Sequence, residues 1–337
     1  MHLFEKDLDR QIAIVAEIGV NHEGDPEKAM ELVRLAAEAG ADAVKFQSYS
    51  PSRYVSAMDA ERFERVGRFA LDEATHRRLA AEAAEQGICF FSTAVSEDWV
   101  PLLAELGPAV KIASGDLTFE PVIRAAAASG KPVIISTGLG TPEEIDRSVA
   151  WFADELGATP LRDRLVLMHC SVAYPTPIDE ANVLSVNWLK ERFGVHAGFS
   201  NHVIGPDACY AAVAQGADIL EVHFTDRKEG RSFRDHALSM EPSDLAELVE
   251  RTPRIRQSLG VLGKRQQPAE LANLSAARKG IVAARDLAAG TVLSAEDIMY
   301  ARPVVEFAST EIGRVLGQTL TAAVTAGHPI PRDALAD

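Results

Sequence analysis

From residue 12 onward, short apolar runs recur along the chain, separated by longer stretches rich in Ala, Leu and Glu. The runs are 12–18, 43–47, 88–93, 109–113, 133–137, 165–170, 196–200 and 219–224. None alternates strictly between polar and apolar positions, so each reads as a strand covered on both faces, as in a parallel sheet sheathed by helices. Helical spacing occupies 26–39, 73–86, 121–128, 142–156, 182–193 and 207–215, with 242–259 after the last run. Asp25-Pro26 supplies an N-cap and a first-turn proline, and Thr141 with Glu144 forms a capping box. Eight strand–helix units in about 250 residues match the size of a (β/α)8 TIM barrel. An open doubly wound sheet is the alternative, but no GxGxxG follows the first run to support its dinucleotide-binding form.

The pattern changes after residue 260. A polar stretch with Lys264-Arg265-Gln266-Gln267-Pro268 reads as a linker, and short segments punctuated by Gly and Pro follow it. An internal echo lies there: Gly290 and Gly327 are each followed three residues later by an apolar residue (Leu293, Ile330) and eight later by another (Ile298, Leu335). The reading is a barrel over 1–262, a linker over 263–275 and a small pseudo-symmetric domain over 276–337.

Charge narrows the function. Across 337 residues the formal net charge is -15, which disfavours nucleic acid and anionic membrane surfaces as partners. No apolar run approaches the ~18 residues of a membrane span, and residues 1–10 lack a basic-then-apolar leader. Cys89, Cys170 and Cys209 are odd in number and far apart, so they read as reduced thiols of a cytoplasmic protein. An anionic ligand would need its own local cations.

In a barrel of this kind the reacting groups stand at the C-terminal ends of the strands. Those ends carry Glu17; Lys45 and Gln47; Thr93; Lys111 and Ser114; Ser136; His169 and Tyr174; Ser200 and His202; and Glu221 with His223. Four of these are charged residues inside otherwise apolar runs, and an unpaired buried charge costs several kcal/mol, so partners or a function are expected. His202 and His223 end the seventh and eighth runs, which would be neighbours about 4.8 Å apart, close enough to share a divalent ion. Glu221 has the strand parity of His223 and could ligate the ion or orient a ligand. Lys45 and Lys111, with Thr93, Ser114 and Ser136, suit an oxyanion-rich ligand. The plainer reading of each Ser or Thr is a cap on the next helix.

Taken in order, these strings resemble the sialic acid synthase family. They are Ala16-Glu17-Ile18-Gly19 with Asn21-His22, Val44-Lys45-Phe46-Gln47, Phe91-Ser92-Thr93 and Lys111-Ile112-Ala113-Ser114-Gly115-Asp116. Beyond them come Lys131 to Gly138, His169-Cys170-Ser171 with Tyr174-Pro175-Thr176-Pro177, Ser200-Asn201-His202, His223 to Arg227, and Asp235-His236. The tail from Arg278 through Arg302-Pro303 resembles the antifreeze-like (SAF) domain that closes these enzymes.

The resemblance implies a phosphoenolpyruvate-dependent synthase of nonulosonic acids, acting on an amino-sugar aldehyde. It implies a manganese-type ion on His202 and His223, with magnesium or cobalt as substitutes. Lys45, Thr93, Lys111, Ser114, Ser136 and Ser200 would hold phosphoenolpyruvate. Gln47, Tyr174, Asp235 and Arg302 would contact the sugar, Arg302 from the partner subunit of a domain-swapped homodimer. Proton transfer falls to Glu17, Asp235 or Glu221. Three departures bear on the acceptor: Val172 replaces a polar residue, the loop over 48–72 is short, and Val304-Val305-Glu306-Phe307 follows Arg302-Pro303. Legionaminate and pseudaminate synthases, and a non-catalytic carbohydrate-binding protein, are the alternatives.

Overall fold

A computed structural model describes residues 1–336. A hairpin opens the chain, β1 (His2–Leu3) against β2 (Lys6–Asp7). The eight apolar runs then form β3 (Ala13–Gly19), β4 (Ala43–Ser48), β5 (Cys89–Ala94), β6 (Val110–Ile112), β7 (Val133–Ser136), β8 (Leu165–His169), β9 (His196–Asn201) and β10 (Ile219–His223). They pair in chain order as one closed parallel barrel, with β10 closing on β3. The expected TIM barrel is the fold observed.

Alternate residues of each strand face outward onto the helices, where Ile14, Val44, Phe90, Val110, Ile135 and Leu220 join the main core. The inward residues Val15, Phe91, Ile134, Val166, Met168 and Ile219 form a second core inside the barrel. Leu3, Phe4 and Leu8 of the N-terminal segment plug it, the Phe4 ring lying 4.7 Å from Phe91. The hairpin is absent from the sequence reading for a physical reason. Its two-residue strands are too short to show a period, and its turn is Phe4-Glu5, both at positive φ, without the Asn-Gly that signals such turns.

Helix starts follow the local chemistry. The Asp25 side chain accepts from the N–H groups of Glu27 and Lys28, and the Thr141–Glu144 capping box is present. The 242–259 helix has the expected bounds, Pro242–Leu259. Helices at Ala60–Phe69, Val100–Leu106 and Arg234–Leu238 are additional. Ala60–Phe69 lies in the stretch read from sequence as a loop; half of its residues are charged and it buries only Val66.

The chain divides into two compact units, one over Met1–Gly260 and a second beginning at Val261. The polar stretch 263–275 carries a helical turn at Pro268–Leu271, and another, Leu274–Ala277, straddles its end. The second unit has an antiparallel pair, β11 (Gly280–Ala283) and β12 (Ile298–Ala301), around a core of Ile281, Leu287, Leu293, Phe307, Leu320 and Ile330. The sequence echo is structural. Gly290 and Gly327 both adopt positive φ, Leu293 and Ile330 are both buried, and 3-10 turns follow at Ala295–Asp297 and Arg332–Ala334.

Candidate active site

Closure of the barrel gathers the charged strand residues at its C-terminal end. Glu17 is opposite Lys45 on one side and His223 on the other, Glu221 is opposite Ser200, and Thr93 is opposite Lys111. The result is a buried chain of alternating charge. Lys45 Nζ is 3.0 Å from Glu17 Oε2 and 3.5 Å from Glu221 Oε1, and Lys111 Nζ is 2.9 Å from Glu221 Oε2. Lys45 also donates to Thr93 Oγ1 at 3.2 Å, Ser200 Oγ donates to Glu221 Oε1 at 3.0 Å, and Gln47 Nε2 donates to Glu17 Oε1 at 3.4 Å.

The two carboxylates are unequal. Burial disfavours the ionised form of Glu221, but Lys111 and Lys45 override it and hold the carboxyl well below its ordinary range. Glu17 has Lys45 as its direct partner; burial dominates there and raises its pKa to about 7, with the Glu221 charge adding to the rise. One carboxylate is therefore fixed as an anion while the other can carry a proton near neutral pH.

His202 directly follows β9, and its ring centre is 5.2 Å from that of His223 at the end of β10. A carbonyl can only accept, so the 2.5 Å contact between His202 Nδ1 and Ser171 O makes Nδ1 the protonated nitrogen and leaves a lone pair on Nε2. His223 Nδ1 is buried without a hydrogen-bond partner. Burial holds both imidazoles toward the neutral form, and for His223 the neighbouring His202 adds to this. Two neutral imidazoles side by side, one with an orphaned nitrogen, fit a divalent ion. Among the described residues no group of three or more His, Cys, Asp and Glu side chains forms a fuller cage. Such an ion would keep open positions.

Around the pair, the Tyr174 ring packs 4.2 Å from His202 and edge-on to His223 at 5.9 Å. Asp235, in the loop after β10, is buried and its pKa is raised by that burial, while Arg234 Nε donates to its Oδ1 at 3.1 Å. On the other side Ser114 Oγ accepts the Gly138 N–H at 3.0 Å and lies 3.1 Å from Cys170 Sγ. Gly138 is required by this closeness. A Cβ there would come within 2.7 Å of Val172 Cγ2, 2.8 Å of Ser114 Oγ and 2.9 Å of Cys170 Sγ. Ser136 is buried at the end of β7, opposite Met168, whose sulfur is 3.5 Å from Lys111 Nζ. His169 turns aside to pair with Ala181 O.

Of the residues singled out from sequence, Arg302 alone belongs to the second unit, where it is exposed just after β12. Arg234 was missed. Its guanidinium lies 5.0 Å from the Tyr174 ring centre, but in sequence it is one more arginine in a polar loop, marked only by adjacency to Asp235. Asn21 was noted without a role; its Nδ2 donates to Phe224 O at 2.8 Å and Ser239 Oγ at 2.9 Å, tying β3's loop to β10's.

Similarity to known proteins agrees with this arrangement. Residues 32–264 match the NeuB family and residues 278–336 match the SAF domain. The chain is 33% identical to the N,N'-diacetyllegionaminic acid synthase of Campylobacter jejuni, over 93% of this chain and 96% of that protein. It is 30% identical to a pseudaminic acid synthase of the same species, over 90% of each. The solved N-acetylneuraminic acid (sialic acid) synthetase of Leptospira borgpetersenii superposes with a TM-score of 0.73 at 32% identity, covering 78% of this chain and 90% of that one. With its closed eight-stranded barrel and terminal SAF domain, the chain belongs to the NeuB family.

Proposed function

We propose that this protein condenses phosphoenolpyruvate with a 2-acylamino-sugar aldehyde and water to give a nonulosonic acid and phosphate. The observation that carries this reading is the buried Glu17–Lys45–Glu221–Lys111 chain beside two neutral imidazoles. Two ammonium groups already desolvated need little reorganisation to meet a phosphate and a carboxylate. Thr93, Ser114, Ser136 and Ser200 add hydroxyl donors on the same side. His202 and His223 would hold a divalent ion, manganese in this reading with magnesium or cobalt as substitutes, which when bound supplies Lewis acidity toward the aldehyde oxygen.

The carbon–carbon bond forms as C3 of phosphoenolpyruvate attacks the aldehyde carbon. Glu17, neutral at the start, gives its proton to the oxygen that was the carbonyl oxygen. Water then adds to the cationic C2, and the Glu17 carboxylate takes a proton from it. The C2–O bond to phosphate breaks, the remaining hydroxyl proton leaves with phosphate, and C2 becomes the ketone. Glu221, held ionised by two lysines, stabilises positive charge and moves no proton. Tyr174, Asp235 and Gln47 line the acceptor side.

Leu139, Ile178, Leu184 and Ile204, on the loops after β7, β8 and β9, are exposed apolar side chains at this end of the barrel. They support a homodimer in which a second copy covers the mouth and contributes Arg302. None of the described helices is long and apolar enough to cross a membrane.

The relatives named above make different products at similar identity, so the acceptor is open among N-acetylmannosamine and the diacetamido hexoses. Phosphate release should be measured with phosphoenolpyruvate, manganese and each aldehyde in turn, followed by mass spectrometry of the product. Release that needs both aldehyde and metal is expected. Absence of such release with every aldehyde overturns the proposal.

A further inference from the structure

We infer that Arg234 is a positioning residue for the acceptor side of the site, clamping two loops and one imidazole into a single wall. The inference rests on the proposed role of Tyr174 and Asp235 as acceptor contacts.

Arg234 begins the short helix Arg234–Leu238 in the loop after β10. Its guanidinium lies over the Tyr174 ring at 5.0 Å, while its Nε donates to Asp235 Oδ1 at 3.1 Å. Beneath it, the Tyr174 ring packs on His202 at 4.2 Å with the planes 35° apart, and His202 is itself pinned to Ser171 O. Arg234, Tyr174 and His202 thus form a column that joins the loop after β10, the loop after β8 and the residue that follows β9. A guanidinium suits the position because it is flat enough to stack and still presents directed N–H donors at its edge. An ammonium could sit on the ring but would lose that edge geometry. The Arg234 side chain is 69% exposed, so its remaining N–H groups face solvent beside Asp235, where an oxygen-rich acceptor would enter.

The loop has a second, independent anchor. Ser239 Oγ donates to Asp235 O at 2.6 Å and receives the Asn21 amide from the loop after β3. Loss of Arg234 therefore loosens the wall without detaching the loop, so an Arg234 variant should fold. The phosphoenolpyruvate groups come from β4 to β7 and β9, none of which Arg234 touches.

Arg234→Met keeps an unbranched stem and removes the charge and donors. The acceptor KM should rise by about tenfold or more, as expected for a charge-assisted contact, while the phosphoenolpyruvate KM stays within about twofold. Arg234→Lys should recover part of the loss. Hydrogen–deuterium exchange, read without substrate, should speed up together over 171–181 and 225–239 in the Met variant. An unchanged acceptor KM, an equal rise in both KM values, or unaltered exchange over 171–181 would overturn the inference. If the parent protein releases no phosphate with any aldehyde, the functional reading fails, and the exchange measurement alone still decides the clamp.

Discussion

Glu17 Oε2 and Lys45 Nζ form a 3.0 Å ion pair inside the barrel mouth, and Lys45 is shared with Glu221 at 3.5 Å. Glu221 has a second cation in Lys111 at 2.9 Å, whereas Glu17 has Lys45 as its direct partner, and burial raises its pKa to about 7. In the proposed cycle Glu17 starts protonated, so kcat/KM should fall as pH rises through about 7. Glu17→Gln should lose about 10²–10⁴ in kcat, the usual span for a removed acid–base group, and the limb near neutrality should vanish. A variant that retains both the rate and the limb would assign the proton to another group.

The imidazole of His202 has one nitrogen committed to Ser171 O and the other left with its lone pair. His202→Ala should abolish manganese binding by calorimetry and cut turnover by more than the ~10–100-fold typical of losing an outer-shell partner. Far-ultraviolet circular dichroism should be unchanged, because His202 lies past the end of β9 and outside the barrel ladder. Near-normal turnover would refute the metal assignment.

At the opposite end of the barrel, Asp218 is buried between His196 Nδ1 at 2.9 Å, Lys190 Nζ at 2.9 Å and Arg256 Nη1 at 3.4 Å. Removing one member of such a buried ionic group costs about 3–5 kcal/mol, so Asp218→Asn should lower the melting temperature while leaving kcat intact. Burial favours the neutral acid, but the His196 N–H and the Lys190 ammonium outweigh it and hold the folded pKa below the usual carboxylate range. The sign follows from that depression. The stabilisation is complete above the unfolded value of about 3.9 and is lost as pH falls below it toward the folded value. Urea unfolding of the parent and the variant should therefore converge in acid, and a constant difference down to pH 2 would contradict the pairing.

Gly138 has no room for a side chain among Val172, Ser114 and Cys170. Gly138→Ala should cost about 1–3 kcal/mol as an overpacked position and push the backbone N–H away from Ser114 Oγ. In the proposed function Ser114 belongs to the phosphate side, so the phosphoenolpyruvate KM should rise and the acceptor KM should not. Equal effects on both would point to general loosening of the mouth.

Much of the candidate site was readable because strand parity and order carry it. Glu17, Lys45, Lys111 and Glu221 stood out as charges within apolar runs, and register between neighbouring strands pairs Glu17 with Lys45, while Glu221 reaches Lys45 and Lys111 across the barrel interior. Arg234 carried no such mark. Its place over Tyr174 depends on how two loops meet, and loops have no period from which direction can be read. The hairpin plug escaped for the same reason, since its turn lacks the residues that announce it.

By itself, the sequence determined the eight strands, their covered faces, most of the helices and the residues at the strand ends, because hydrophobic period and capping chemistry are local properties of the chain. Only the tertiary structure decided which carboxylate stays an anion and which can take a proton near neutral pH. Glu17 and Glu221 are the same residue type on adjacent strands, both buried in the barrel mouth. Their difference arises from the distances of Lys45 and Lys111, separated from them along the chain and brought together only when the barrel closes.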